Sequence, residues 1–105
     1  MVNVKILKEG NDILEIEVSG HADSNEYGFD LVCAGVSTAC VGICNELVNH
    51  NFLEYGNIEL QAGYCHIVVE EFDKLHQVVL ETFVTILKTI EESYGDYLKI
   101  IKMEV

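Results

Sequence analysis

The chain has 105 residues, half of them hydrophobic, which suits one domain with its own core and excludes a disordered tail. A net charge of −12, from Asp+Glu 18 against Lys+Arg 6, repels phosphate backbones and argues against direct nucleic-acid binding. It favours a basic partner instead. No uninterrupted apolar run reaches the roughly 18 residues that cross a bilayer. The start also lacks a basic segment followed by an apolar one, so no membrane association is expected and the cytoplasm is the expected compartment.

Val2, Val4 and Ile6 alternate with Asn3 and Lys5, and Glu9-Gly10-Asn11-Asp12 follows as a turn. Leu14, Ile16 and Val18 then alternate with Glu15 and Glu17, so the chain opens on a β-hairpin that ends at Ser19-Gly20. His21 stands at the strand exit. The polar stretch from Ala22 to Phe29 has no period and reads as a loop, with Gly28 as a hinge. A helix is expected from Asp30 to about Asn49, with Val36, Cys40, Ile43 and Leu47 at helical spacing.

Ile58 and Leu60, then Cys65, Ile67 and Val69, form two alternating runs around Gly63, a second hairpin. Asp73 is the expected N-cap of a long helix whose apolar face holds Leu75, Val79, Phe83, Ile86 and Ile90. Gly95 stops that helix, and Tyr97 to Val105 reads as a last strand. The order ββαββαβ implies a single α+β domain over residues 1–105, a sandwich of two main helices and one mixed five-stranded sheet.

Four cysteines (Cys33, Cys40, Cys44 and Cys65) in a chain without an export signal read as thiols. Cys33 falls in the first turn of the expected helix, where the helix terminus lowers a thiol pKa, and an imidazolium from His21 would lower it further. The backbone N–H groups of Cys33 and Ala34 are candidate oxyanion donors. His21 can act as base towards Cys33 and return the proton to a leaving amine. Asp30 can cap the helix or orient His21. Ser37, one turn beyond Cys33, can reach the thiol or bond back to a helical carbonyl. Tyr27, Gly28 and Phe29 on the loop can close over an extended peptide. The plainer alternative packs Cys33 in the core and leaves His21 as a polar strand end.

Other features point to structure. Cys33 and Cys40 are two turns apart, roughly 10 Å, too far for one zinc ion, and the stripe through Cys40 suits core packing. No metal or other cofactor is expected. His50 and His76 read as helix-end and helix-surface residues, His66 as a surface or core-edge residue of its strand, with the sheet side of the cleft as its alternative place, and Tyr94 and Tyr97 as flanks of the Gly95 turn. The second helix is apolar around much of its girth, which suits a dimer.

The segment Gly20-His21-Ala22-Asp23, followed by Glu26-Tyr27-Gly28-Phe29-Asp30-Leu31-Val32-Cys33-Ala34-Gly35-Val36-Ser37, resembles the signature of the ribosomal-processing cysteine protease (Prp) family. The likeness continues through Gly63-Tyr64-Cys65-His66-Ile67 and Ile90-Glu91-Glu92-Ser93-Tyr94. The resemblance implies a homodimeric endopeptidase that removes a short N-terminal extension from a basic large-subunit ribosomal protein precursor. It carries His21 and Cys33 over as the catalytic pair, and Asp30 and Ser37 as supporting positions. Two other functions fit the residues: a non-catalytic module that binds a basic ribosomal protein, and a thiol redox sensor. The second is weakened by the absence of a C-x-x-C pair.

Overall fold

A computed structural model describes residues 1–20 and 27–105, with Tyr27 described by its backbone only. Strands β1 (Val2–Glu9) and β2 (Asp12–Ser19) form the opening hairpin, and helix α1 spans Tyr27–Asn49. A 3-10 turn at Phe52–Glu54 leads to β3 (Gly56–Gln61) and β4 (Tyr64–Val69), and α2 (Lys74–Ser93) leads to β5 (Leu98–Glu104). The sheet order is β3-β4-β2-β1-β5. All neighbours are antiparallel except β1 and β5, which run parallel, so the sheet is mixed as expected.

The core follows from the two-residue period of the strands. Val4 faces Val18, Ile6 faces Ile16, and Ile16 and Val18 face Ile67 and Cys65 across the next pair, all fully buried. The intervening residues Lys5, Glu15, Glu17, Tyr64 and His66 point the other way and are exposed or half-buried. Both helices therefore pack on one face. The opposite face meets solvent through a polar lattice in which Tyr64 donates to Glu17 at 2.6 Å and His66 contacts Glu15. His66 thus lies on the face away from α1.

The alternation in β2 is broken once. The β1–β2 register shifts between Leu7 and Lys8, and Lys8 pairs with Ile13 while Leu7 pairs with Glu15. Leu14 is the extra residue, so Ile13 is buried where the period alone places Leu14.

Asp73 caps α2 as expected, its carboxylate accepting from the His76 amide at 3.1 Å. The buried stripe of α2 is rotated from the expected one and runs through His76, Gln77, Leu80, Phe83 and Leu87, while Leu75 is exposed. His76 is therefore a buried residue rather than a surface one. Its Nε2 meets the carbonyl of His50 at 2.7 Å, and its ring stands edge-on to Phe52 and Tyr55. Gln77 clamps the hairpin: its side-chain oxygen accepts from the Ile13 amide, and its nitrogen donates to the Ile13 carbonyl, each at 2.8 Å.

By length and composition the Gly28–Asn49 stretch is long and apolar enough to cross a bilayer, which uninterrupted runs alone do not reveal. In the fold, Val32, Val36, Cys40, Ile43 and Leu47 form its core side. Its apolar character is that of one layer of the domain.

Candidate active site

The sheet brings the exit of β2 beside the turn between β3 and β4. The Gly20 amide donates to the Gly63 carbonyl at 3.1 Å. Gly20 has φ of 88°, and a Cβ there would meet the Met1 carbonyl oxygen at 2.5 Å. Only glycine fits both constraints. His21 follows directly in the chain and lies outside the described residues, as do Ala22 to Glu26 and the side chain of Tyr27.

Across from this turn runs α1. Ser37, Cys40 and Val41 on the helix, with Leu60 and the Gln61–Gly63 turn, enclose a cavity of about 330 Å³. Ser37 is half-buried at its wall. Cys33 lies one turn earlier, about 6 Å along the axis. Its residue is only 4% exposed, so a peptide reaches the sulfur only after whatever covers it moves.

The helix begins earlier than the sequence suggests. Tyr27, Gly28 and Phe29 are helical rather than part of a loop, so Cys33 falls in the second turn. The physical reason is a long-range contact. Phe29 stands edge-on to Tyr97, with ring centroids 6.1 Å apart, and a Cβ on Gly28 would lie 3.0 Å from the same ring. Tyr97 thus supports the turn preceding Cys33, a role its sequence position beside Gly95 does not signal. Gly28 serves close packing here rather than a hinge.

Two expectations change with that boundary. Asp30 is inside the first turn, exposed, and not the N-cap; its charge complements the helix terminus there. The N–H groups of Cys33 and Ala34 lie past the four that a helix start leaves unpaired, so the helical ladder holds them.

The remaining thiols form a separate buried group. Cys44 and Cys65 sulfurs are 3.7 Å apart, and none of the four cysteines is in a disulfide. The Cys44 thiol is pushed far up in pKa by its hydrogen bond with Cys65 and by burial. Cys65 is pushed up to about 12, first by hydrogen bonding with Cys40 and then by burial. Such thiols stay protonated at neutral pH and suit core packing. Among the described residues, no group of three or more His, Cys, Asp or Glu is arranged to hold a metal ion.

A thiol-bearing helix packed on a mixed five-stranded sheet, with a cavity one turn beyond the thiol, defines the class as an α+β domain. Residues 1–99 match the family described as Cysteine protease Prp, and the chain belongs to that family of peptide-bond hydrolases. It is 32% identical over 101 residues to the ribosomal processing cysteine protease Prp of Staphylococcus aureus, covering 94% of each chain. It is 34% identical over 94 residues to the Prp of Bacillus subtilis, covering 84% of each. The crystal structure of the S. aureus ribosomal processing protease in complex with a substrate peptide superposes with a TM-score of 0.81 at 29% identity, over 97% of this chain and 99% of that one. A second S. aureus Prp structure, with a covalently linked product peptide, gives a TM-score of 0.78 at 30% identity, again over 97% and 99%.

Proposed function

We propose that this cysteine protease removes a short N-terminal extension from a large-subunit ribosomal protein precursor, with Cys33 as nucleophile and His21 as base. The observation that carries the reading is the apposition of α1, one turn past Cys33, with the turn to which Gly20 is bound. The residue after Gly20 is His21, so in this reading the β2 exit and α1 are the rigid supports of the pair.

In this reading His21 takes the Cys33 proton, and the thiolate attacks the scissile carbonyl carbon. The tetrahedral intermediate collapses to a thioester as His21 gives the proton to the leaving amine. Water then hydrolyses the thioester and restores the thiol. The N–H groups of Cys33 and Ala34 serve the oxyanion only once residues 27–30 leave the helix. Substrate binding drives that step, and Tyr27, Gly28 and Phe29 then contact the peptide. Asp30 orients His21 in the opened state, and Ser37 stays at the cleft wall.

The excess of acidic residues favours a basic substrate. The relatives' names, which specify ribosomal processing, support the choice of precursor. The cytoplasm, where such precursors are made, is the proposed compartment, with no direct contact to nucleic acid or membrane. A homodimer belongs to the same reading and is supported by exposed Phe72, Leu75 and Val78 at the start of α2. Sedimentation giving the mass of a single 11.8 kDa chain at micromolar concentration would refute the dimer.

The test is incubation with the host's own extended precursor, comparing wild type, Cys33→Ala and His21→Ala. Cleavage by wild type alone is expected. Cleavage that survives Cys33→Ala rules the mechanism out.

A further inference from the structure

Three of the chain's six basic residues converge on one hollow at the edge of the sheet, which α1 does not line. Ile6 of β1 is fully buried on the helix side of the sheet. Lys102 of the edge strand β5 pairs with Ile6, and Lys8 follows Ile6 by two residues, so both lysines share that side. Glu81, Val84, Thr85 and Lys88 of α2 have the spacing of one helical face and meet them there. The cavity they enclose is about 180 Å³, with Ile6 and Ile13 among its lining residues. A neighbouring hollow of about 390 Å³ shares Lys88 and Lys102 and adds Glu91, Glu92 and Ile100.

Grouping ammonium groups costs free energy through like-charge repulsion, and a chain with a net charge of −12 has carboxylates to spare for them. Those carboxylates are not used here. Among the described residues Lys5 is in an ion pair, with Glu17 at 4.0 Å, whereas Lys8, Lys88 and Lys102 are in none. The Lys102 ammonium is pushed below the ordinary lysine range, first by its hydrogen bond with Lys88, then by desolvation and by the charges of Lys88 and Lys8. Glu91 opposes that shift, but its Oε2 already accepts from the Ile100 amide at 2.9 Å.

We propose that the hollow between α2 and the β1–β5 edge binds the phosphate or diphosphate group of a small phosphorylated molecule. An anion there relieves the mutual repulsion of the three lysines and takes charge-assisted hydrogen bonds from each. Thr85 adds a hydroxyl at the same wall. At about 180 Å³ the cavity is smaller than pockets that take a whole drug-sized ligand, so it suits the charged group alone. The wider hollow beside it, with apolar Ile100 and the acceptor Glu92, has room for the organic part. A small anion lies within about one Debye length, roughly 8 Å, of all three ammonium groups. A nucleic-acid strand would extend beyond them across the acidic surface and be repelled.

The test is titration of the whole chain with sodium pyrophosphate at fixed ionic strength, followed by NMR shifts of backbone amides and lysine side chains. Saturable binding is expected, with shifts centred on Lys8, Thr85, Lys88 and Lys102. The double variant Lys88→Gln, Lys102→Gln should raise Kd about tenfold or more. The control Lys5→Gln, Lys99→Gln removes as much charge elsewhere and should change Kd by less than about threefold. All four positions are exposed, so folding survives, and circular dichroism checks it. Equal weakening by the two double variants, or shifts scattered over the surface, overturns the site. A short single-stranded RNA that binds more tightly than pyrophosphate through the same lysines overturns the class of ligand.

Discussion

The Gly20 amide and the Gly63 carbonyl, 3.1 Å apart, join the exit of β2 to the β3–β4 turn and so fix where the chain departs towards His21. Gly20 reaches that position with φ of 88° and its α-carbon packed on the Met1 carbonyl. Gly20→Ala forces a side chain into a left-handed conformation and into backbone. The expected cost is about 2 kcal/mol or more of stability, read as a lower urea midpoint. Proteolytic activity should fall further than stability does, since the proposed base His21 follows Gly20 directly in the chain.

Tyr97 is expected to matter for activity despite its distance in sequence from Cys33. Tyr97→Ala removes the ring from beside Gly28 and Phe29 and frees the first turn of α1. The aromatic pair contributes about 0.5–1.5 kcal/mol, so a stability loss of about 1–2 kcal/mol is expected in denaturant titration. Tyr97→Phe keeps the ring and should lie near wild type. If Tyr97→Ala and Tyr97→Phe show equal kcat/KM, the ring does not control the helix start.

Gln77 reaches across 64 residues to satisfy both backbone groups of Ile13. Gln77→Leu preserves bulk but leaves a buried amide and a buried carbonyl unpaired. The expected loss is about 2–4 kcal/mol, measured by chemical unfolding. Gln77→Glu tests the pattern differently, because a carboxylate still accepts from the Ile13 amide but no longer donates to its carbonyl.

Thiol reactivity should separate Cys33 from the buried trio. Iodoacetamide at neutral pH is expected to label Cys33 ahead of Cys40, Cys44 and Cys65, as peptide mass mapping can show. Cys44 is held protonated by its hydrogen bond with Cys65 and by burial, and Cys65 by its hydrogen bond with Cys40 and by burial, so their labelling should stay slow until unfolding. The stability consequence has a definite sign. The folded pKa of Cys65 is about 12 against an ordinary 9.0, so the native state holds this proton longer than the unfolded chain. That contribution is complete below pH 9 and is lost as pH rises towards 12. A Cys65→Val variant should show a shallower loss of stability over that window.

Much of the fold was legible in local pattern. Alternation marked four strands, Gly10 and Gly63 marked the hairpin turns, and Asp73 marked the start of α2, because each signal depends on neighbours within a few residues. The motif around His21 and Cys33 likewise marked the family before any coordinate did. Other features were invisible to local pattern because distant segments decide them. The bulge at Leu14 depends on cross-strand register. The rotated stripe of α2 depends on the demand of Ile13 for a partner and of the His50 carbonyl for a donor.

The α1 start shows the same division most clearly, since Gly28 reads as a loop hinge until Tyr97 is set against it. By itself the sequence determined that the chain is a Cys33-bearing α+β domain of a protease family, through periodicity and a contiguous motif. Only the tertiary structure decided that both helices cover one sheet face, that Gly63 holds the residue before His21, and that a cavity opens one turn past Cys33. Those relations join residues tens of positions apart, where packing and hydrogen bonding outweigh the weak preferences of any local stretch.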